Sequence, residues 1–305
     1  MLQLDTNLID PGVRSGEFIW EFMIKLNTVG ILFGLLLLFA CKKDNVDADK
    51  TDPVDSTPLP GGNTTWWRPV AGISFDWVLD DITPSNTFSS DVVDVDAFTT
   101  TAETVAALHA KGKKVIAYLS VGTFESDRND GALLPKEVIG KKYDEWPKEK
   151  WLDIRQVDKL KPWLNSRFRM IIKKGFDGIE PDNLDSYDNE TGFSIGVADT
   201  KIYIDYLIKL AHDNGLSIGQ KNVNDLASEY ADKFDWALTE DAFQQGWQNE
   251  MTAYIKLNKP VFATEYTDVT TQKTFQDEYC PKATQLGFTA ILKKRDLDKW
   301  LYKCQ

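Results

Sequence analysis

From Trp66 onward the chain alternates short apolar, β-branched runs with longer segments of helical spacing. Strands are predicted to start near Gly72, Asp91, Val115, Phe176, Leu216, Asp235, Val261 and Phe288. The run KVIAYLSVG (114–122) is almost continuously apolar, the pattern of a strand buried on both faces. Between the runs, TAETVAALHAKG, DKLKPWLNSRFRMIIKKG and DTKIYIDYLIKLAHDNG read as helices stopped at Gly112, Gly175 and Gly215. VNDLASEYADKF, FQQGWQNEMTAYIKLN and TQKTFQDEYCPKATQLG continue the alternation as helices. Buried strands joined by helical crossovers imply a parallel sheet, and eight of them in about 240 residues predict a single-domain α/β fold, a (β/α)8 barrel spanning 66–305. A doubly wound open sheet is the alternative, but no glycine-rich phosphate loop follows the early strands.

The residues before Trp66 have a different character. Lys25 precedes the apolar run Ile31–Ala40, which is too short to span a bilayer and fits the h-region of a signal peptide at 23–40. Leu38-Phe39-Ala40-Cys41 resembles a bacterial lipobox, with Cys41 as the lipidated residue. Residues 1–22 carry Asp5, Asp10, Glu17 and Glu21, the wrong charge for an n-region, and read as an extension before a true start at Met23. Residues 41–65 are rich in Asp, Pro, Thr and Gly and are expected to be a flexible tether. The expected product is an exported lipoprotein, periplasm-facing or at the cell surface, that meets the membrane only through its lipid. In an oxidising compartment Cys280 and Cys304 are candidates for one disulfide, two free thiols being the alternative.

The net charge of −12 argues against a nucleic-acid partner and is compatible with a cationic one. Ten tryptophans and ten tyrosines offer core residues or flat platforms for sugar rings. In a (β/α)8 barrel the chemistry lies at the C-terminal strand ends. Those ends carry Asp76, Asp80 and Asp81, then Ser120 with Glu125, Asp127 and Arg128, then Glu180, Asp182 and Asn183. Gln220, Lys221 and Asn222 follow, then Glu240 and Asp241, then Glu265 and Tyr266. Within GFDGIEPDN (175–183), Glu180 and Asp182 share one face of a strand, while Asp177 has the other parity and is expected to tie the loop or the preceding helix. Two carboxylates on facing strand ends are the apparatus of glycoside hydrolysis. His109 and His212 fall inside helices, and no H-x-H, H-E-x-x-H, paired-Cys or G-x-S-x-G pattern occurs, so neither a transition metal nor a serine nucleophile is expected. An all-oxygen Mg²⁺ or Ca²⁺ site around Asp182 is the alternative.

The segments WVLDDI, VIAYLSVGTFESDRND, WLDIRQ, GFDGIEPDNLDSY, ALTEDAF and PVFATEY, in this order, resemble the endo-α-1,4-polygalactosaminidases of glycoside hydrolase family 114 over about Trp66 to Lys294. The resemblance implies a metal-free (β/α)8 barrel, no cofactor, and an acid pair at Asp182 and Glu240. It also implies a galactosamine-rich polysaccharide as partner, cationic where deacetylated. Asp80, Asp127, Asp153 and Glu265 become candidates for ammonium groups, and Trp77, Tyr118, Trp151 and Tyr266 for stacking. Asp76, Glu125, Arg128, Glu180, Asn183, Lys221 and Asn222 complete the expected binding set, in a monomer. A retaining route is expected, with Asp182 as nucleophile kept ionised by Arg128 or Lys221. Glu240 is then the acid/base, its proton retained by burial against Trp236 or Phe243. FDWVLDD stands where the family often has W-Q-W-Q, which leaves the sugar open. A carbohydrate-binding barrel without turnover and a docking surface lipoprotein are the other functional classes.

Overall fold

The computed structural model describes residues 54–144 and 146–304. The N-terminal extension, signal peptide and lipidation site expected from the sequence lie outside the described residues. Among the described residues twelve strands occur: β1 (Phe75–Val78), β2 (Val92–Asp96), β3 (Lys114–Ser120), β4 (Thr123–Glu125), β5 (Ile139–Lys142), β6 (Glu149–Leu152), β7 (Gly178–Asp182), β8 (Ser217–Lys221), β9 (Trp236–Glu240), β10 (Val261–Tyr266), β11 (Thr289–Lys293) and β12 (Tyr302–Lys303). Eight of them, β1-β2-β3-β7-β8-β9-β10-β11, form a curled parallel sheet, and these are the eight strands read from the sequence. The sheet is a (β/α)8 barrel whose last seam is tied by side chains. Thr289 donates to the Ile73 carbonyl at 2.9 Å, and Lys293 meets Asp76 at 3.1 Å. The short strand β12 pairs antiparallel with β11. Cys304, next to β12, is disulfide-bonded to Cys280, their Cα atoms 5.2 Å apart.

Side-chain parity divides each strand between two cores. Phe75, Val92, Ile116, Trp236, Phe262 and Ile291 fill the barrel interior, with Phe75 and Phe262 stacked at 4.5 Å. Gly219 is required there: a Cβ would fall 2.3 Å from the Trp236 ring. The opposite parity packs outward on helices α1 (Ala102–Ala110), α2 (Val157–Lys174) and α3 (Val197–Asp213). Leu160, Leu164, Phe168 and Ile171 of α2 recur at helical spacing and are fully buried, contributing about 1.5–3 kcal/mol each. Gly175, at φ 86°, ends α2 in the left-handed conformation.

Three departures from the expected pattern have local causes. The helix expected after β9 is broken into Ala242–Gln245 and Thr252–Lys256, because Gly246 turns left-handed at φ 87°. The segment after β10 widens into one π-type turn at Phe275–Tyr279, ahead of Pro281, which has no N–H for the next α-helical bond. Between β3 and α2 the chain inserts a small antiparallel sheet, β4-β6-β5, that the sequence reading does not contain. The expected tether also ends earlier than 65. Thr57 receives the Arg169 guanidinium through its carbonyl at 2.7 Å, Asp55 pairs with Arg169 at 3.1 Å, and the Asn63 N–H reaches the Asp213 carbonyl at 2.8 Å. This segment lacks helix and strand but is strapped across α2 and the end of α3.

Candidate active site

Strands β7, β8 and β9 end in Asp182, Lys221 and Glu240. Each is followed at once by a residue with positive φ: Asn183 at 64°, Asn222 at 49° and Asp241 at 53°. Asn and Asp tolerate this conformation better than other side chains, so the chain turns sharply away and leaves the terminal side chain at the barrel mouth. Val223, β-branched and at φ 43°, adds strain to the β8 turn.

Lys221 is the centre of the site. Its Nζ lies 2.8 Å from Glu180 Oε1, 3.0 Å from Asp182 Oδ1 and 3.1 Å from Glu240 Oε2, and 4.6 Å from the centre of the Trp77 ring. Burial alone would strip its proton, but Asp182, Glu180 and Glu240 together hold it charged, well above the usual lysine range. The side chain of Glu180 is 0% exposed, whereas those of Asp182 and Glu240 are 19% and 26% exposed. A ligand in the mouth therefore reaches Asp182 and Glu240 but not Glu180.

Each exposed acid has a second donor. The Tyr118 hydroxyl donates to Asp182 Oδ2 at 3.0 Å, and the Tyr266 hydroxyl donates to Glu240 Oε1 at 2.5 Å. Asn222 binds Glu240 twice: its Nδ2 donates to Oε2 at 3.1 Å, and its Oδ1 accepts from the Glu240 N–H at 2.9 Å. Burial and the neighbouring acids push both tyrosines well above the usual phenol range, so they remain neutral donors. The expectation that Glu240 keeps a proton against Trp236 or Phe243 is corrected here. Burial does push its carboxyl up, but the Lys221 charge and the bonds from Tyr266 and Asn222 outweigh it, and the net pKa is lowered.

A cleft of about 1050 Å³ opens above these groups. Trp77, Tyr118, Asn183, Lys221, Asn222 and Tyr266 lie on it, together with Glu125, Asp127 and Arg128. Arg128 does not serve Asp182: it binds Asp96 at 2.6 Å and Glu125 at 2.9 Å. Asp127 sits at the rim, paired with Lys148.

Five expected binding residues stand elsewhere. Asp76 is the seam partner of Lys293, and Asp80 pairs with Lys299 at the surface. Asp153 is buried against Arg155, and Glu265 accepts the backbone N–H groups of Phe243 and Gln244. Trp151 is 2% exposed and packs on Tyr143, so it offers no face to a sugar. Asp177 does not tie the loop or the preceding helix α2, as expected, but His109 of α1 and Lys114 and the Val115 N–H of β3, the elements that pack beside the start of β7. The cleft also holds residues the sequence reading passed over. Trp146, 51% exposed, stands on the inserted sheet, and Glu149 is pushed up to about 7 by burial. Trp146 lies in the turn between β5 and β6 and Glu149 opens β6, so neither stands at the C-terminal end of a barrel strand. Among the described residues no group of His, Cys, Asp or Glu is arranged to hold a metal ion.

The profile of glycoside hydrolase family GH114 matches residues 56–305. The chain belongs to this family. It is a glycosidase. Among solved structures it is similar to Aspergillus fumigatus Ega3 in complex with galactosamine, at 30% identity and a TM-score of 0.73, over 80% of this chain and 100% of that one. It shares the fold of the glycoside hydrolase domain of PelA from Pseudomonas aeruginosa, at 15% identity and a TM-score of 0.59, over 76% of this chain and 98% of that one. A search of curated protein sequences finds no match.

Proposed function

We propose that this GH114 glycosidase cleaves α-1,4-linked, galactosamine-containing polysaccharide by a retaining double displacement, with Asp182 as nucleophile and Glu240 as acid/base. The convergence of both carboxylates on Lys221 Nζ carries the reading. At 3.0 and 3.1 Å from one nitrogen, the two bonded oxygens lie at most about 6 Å apart, short of the ~6.5–9.5 Å that inverting enzymes leave for a water. Lys221 and Tyr118 orient Asp182 for attack on the anomeric carbon. As that bond forms, Glu240 gives a proton to the departing glycosidic oxygen. Water, deprotonated by Glu240, then releases the sugar from Asp182. In the resting site Glu240 is ionised. A sugar ring seated in the mouth removes water from its exposed face and strengthens the burial effect, which favours the proton at the moment it is needed. The similarity to a galactosamine-bound relative and the many acids of the cleft support an amino sugar as substrate.

Partly deacetylated α-1,4-galactosaminan is the test substrate. New reducing ends with the α anomer formed first are expected by proton NMR; the β anomer first overturns retention. The low pKa of Glu240 favours one other assignment, with Glu240 attacking and Asp182 as acid. Trapping with an activated fluoro-sugar and sequencing the labelled peptide separates the two, and a label on Glu240 sinks the first. We further propose export and lipid anchoring through Cys41, supported by Lys25 and the apolar run after it. Cys41→Ser is expected to leave the membrane fraction; retention there refutes the anchor.

A further inference from the structure

Asp94 sits in the middle of β2, between Val93 and Val95, which join the outer core beside Val105 and Leu108 of α1. Asp94 therefore faces inward, and it is fully buried. Its register neighbours are Trp77 of β1 and Ile116 of β3, neither of them charged. Among the described residues no side-chain donor reaches either of its carboxyl oxygens or Glu180 Oε2, and the Val95 N–H, the one backbone donor that bears on Asp94, falls short of good hydrogen-bond geometry. Trp77, level with Asp94, lies 4.6 Å under Lys221 Nζ, and Glu180 takes that Nζ at 2.8 Å through its other oxygen, which brings the two carboxyls into one buried neighbourhood. Three buried acceptor oxygens without a side-chain donor are incompatible with two bare carboxylates; a single shared proton satisfies them.

We propose that Asp94 is a positioning residue that carries a proton and donates it to Glu180 Oε2, keeping Glu180 ionised toward Lys221 and Lys221 fixed between Asp182 and Glu240. The charged groups that face Asp94 are Glu180 from β7 and Lys221 from β8, with Asp182 and Glu240 beyond Lys221. Burial first, and the Glu180 charge second, drive the Asp94 carboxyl well above the usual carboxylate range, against the pull of Lys221. Without that proton, one ammonium would have to balance four carboxylates. Burial raises Glu180 itself to about 7, and a proton held on Asp94 meets that burial with a donor, so that Glu180 stays ionised toward the lysine. The inference rests on Asp182 and Glu240 being the reacting pair.

Infrared difference spectra of wild type against Asp94→Asn are expected to show the carbonyl band of a protonated carboxyl at neutral pH, absent from the variant. This reading needs no substrate, so it stands even if the polysaccharide assignment fails; a missing band overturns the inference. Asp94→Asn keeps a neutral donor, and its kcat is expected to stay within a few-fold of wild type. Asp94→Ala leaves Glu180 Oε2 bare, and kcat is expected to fall about 10–100-fold. The wild-type kcat is expected to decline at alkaline pH as the pair sheds its proton, and in Asp94→Asn that limb moves to higher pH. Equal loss in both variants, or an unmoved limb, overturns the inference. If Asp94→Ala does not fold, the band and the limb still decide.

Discussion

Removing the positive charge at Lys221 gives the sharpest test of the site. Lys221→Met keeps an apolar stem and deletes the ammonium, with it the contact 4.6 Å from the Trp77 ring. Three buried ion-pair contacts, at 2.8, 3.0 and 3.1 Å, are lost at once. Breaking a buried pair from one side costs about 3–5 kcal/mol, because the remaining charge stays unneutralised. In a domain of this size each kcal/mol moves Tm by about 2–4 °C, so a fall of roughly 6–20 °C is expected near neutral pH. The pH dependence follows from the sign of the shift at Glu240. In the wild type its folded pKa is lowered, so its contribution is present above the unfolded value near 4.3 and lost as pH falls through the folded one. Without Lys221, burial dominates and the folded pKa is raised. That contribution is then present at low pH and lost as pH rises. The Tm gap between variant and wild type is therefore expected to widen from pH 4.5 to pH 7.5, as read by calorimetry across that range. A gap of the same size at both ends, or no gap, refutes Lys221 as the counter-ion of the site.

Asp182→Asn and Glu240→Gln are each expected to lower kcat by about a thousandfold or more with little change in Tm, and near-normal turnover removes that residue from the mechanism. Trp146→Ala removes the exposed ring on the inserted sheet and is expected to raise KM for long chains about 2–10-fold at constant kcat; an unchanged KM would show that the ring does not stack on sugar. Cys280→Ser opens the cross-link between residues 24 apart and is expected to cost about 3 kcal/mol, measured by urea unfolding under non-reducing conditions.

The barrel strands were legible because parallel strands buried on both faces leave near-continuous apolar runs, and each glycine stop marks the end of a crossover. The inserted sheet was not. Its strands TFE, IGKK and EKWL are three or four residues long, and β5 and β6 mix lysine and glutamate with single apolar residues, so no period emerges. Strand ends and parity put Asp182 and Glu240 among the many mouth acids and amides, and the family resemblance picked out the pair. What parity does not reveal is which acids are already neutralised. Asp76 finds Lys293 from the far end of the chain, and Glu265 spends its charge on two backbone N–H groups after β9. Both have the same strand-end signature as Asp182 and Glu240.

The two residues that organise the site illustrate a deeper limit. From the sequence Lys221 is expected both as a substrate contact and, with Arg128 as the alternative, as the cation that keeps Asp182 ionised. Its role as counter-ion depends on Glu180, Asp182 and Glu240 arriving from β7 and β9 on either side of β8, an adjacency that exists only once those strands pair. Asp94 drew no attention because aspartates alternating with valines in VVDVD are the pattern of a strand with one wet face. Curling the sheet into a barrel turns that face inward, and the same alternation then places a carboxyl under the reaction centre. The polar layer of the barrel is thus written in positions that look solvated along the chain and become buried only through closure.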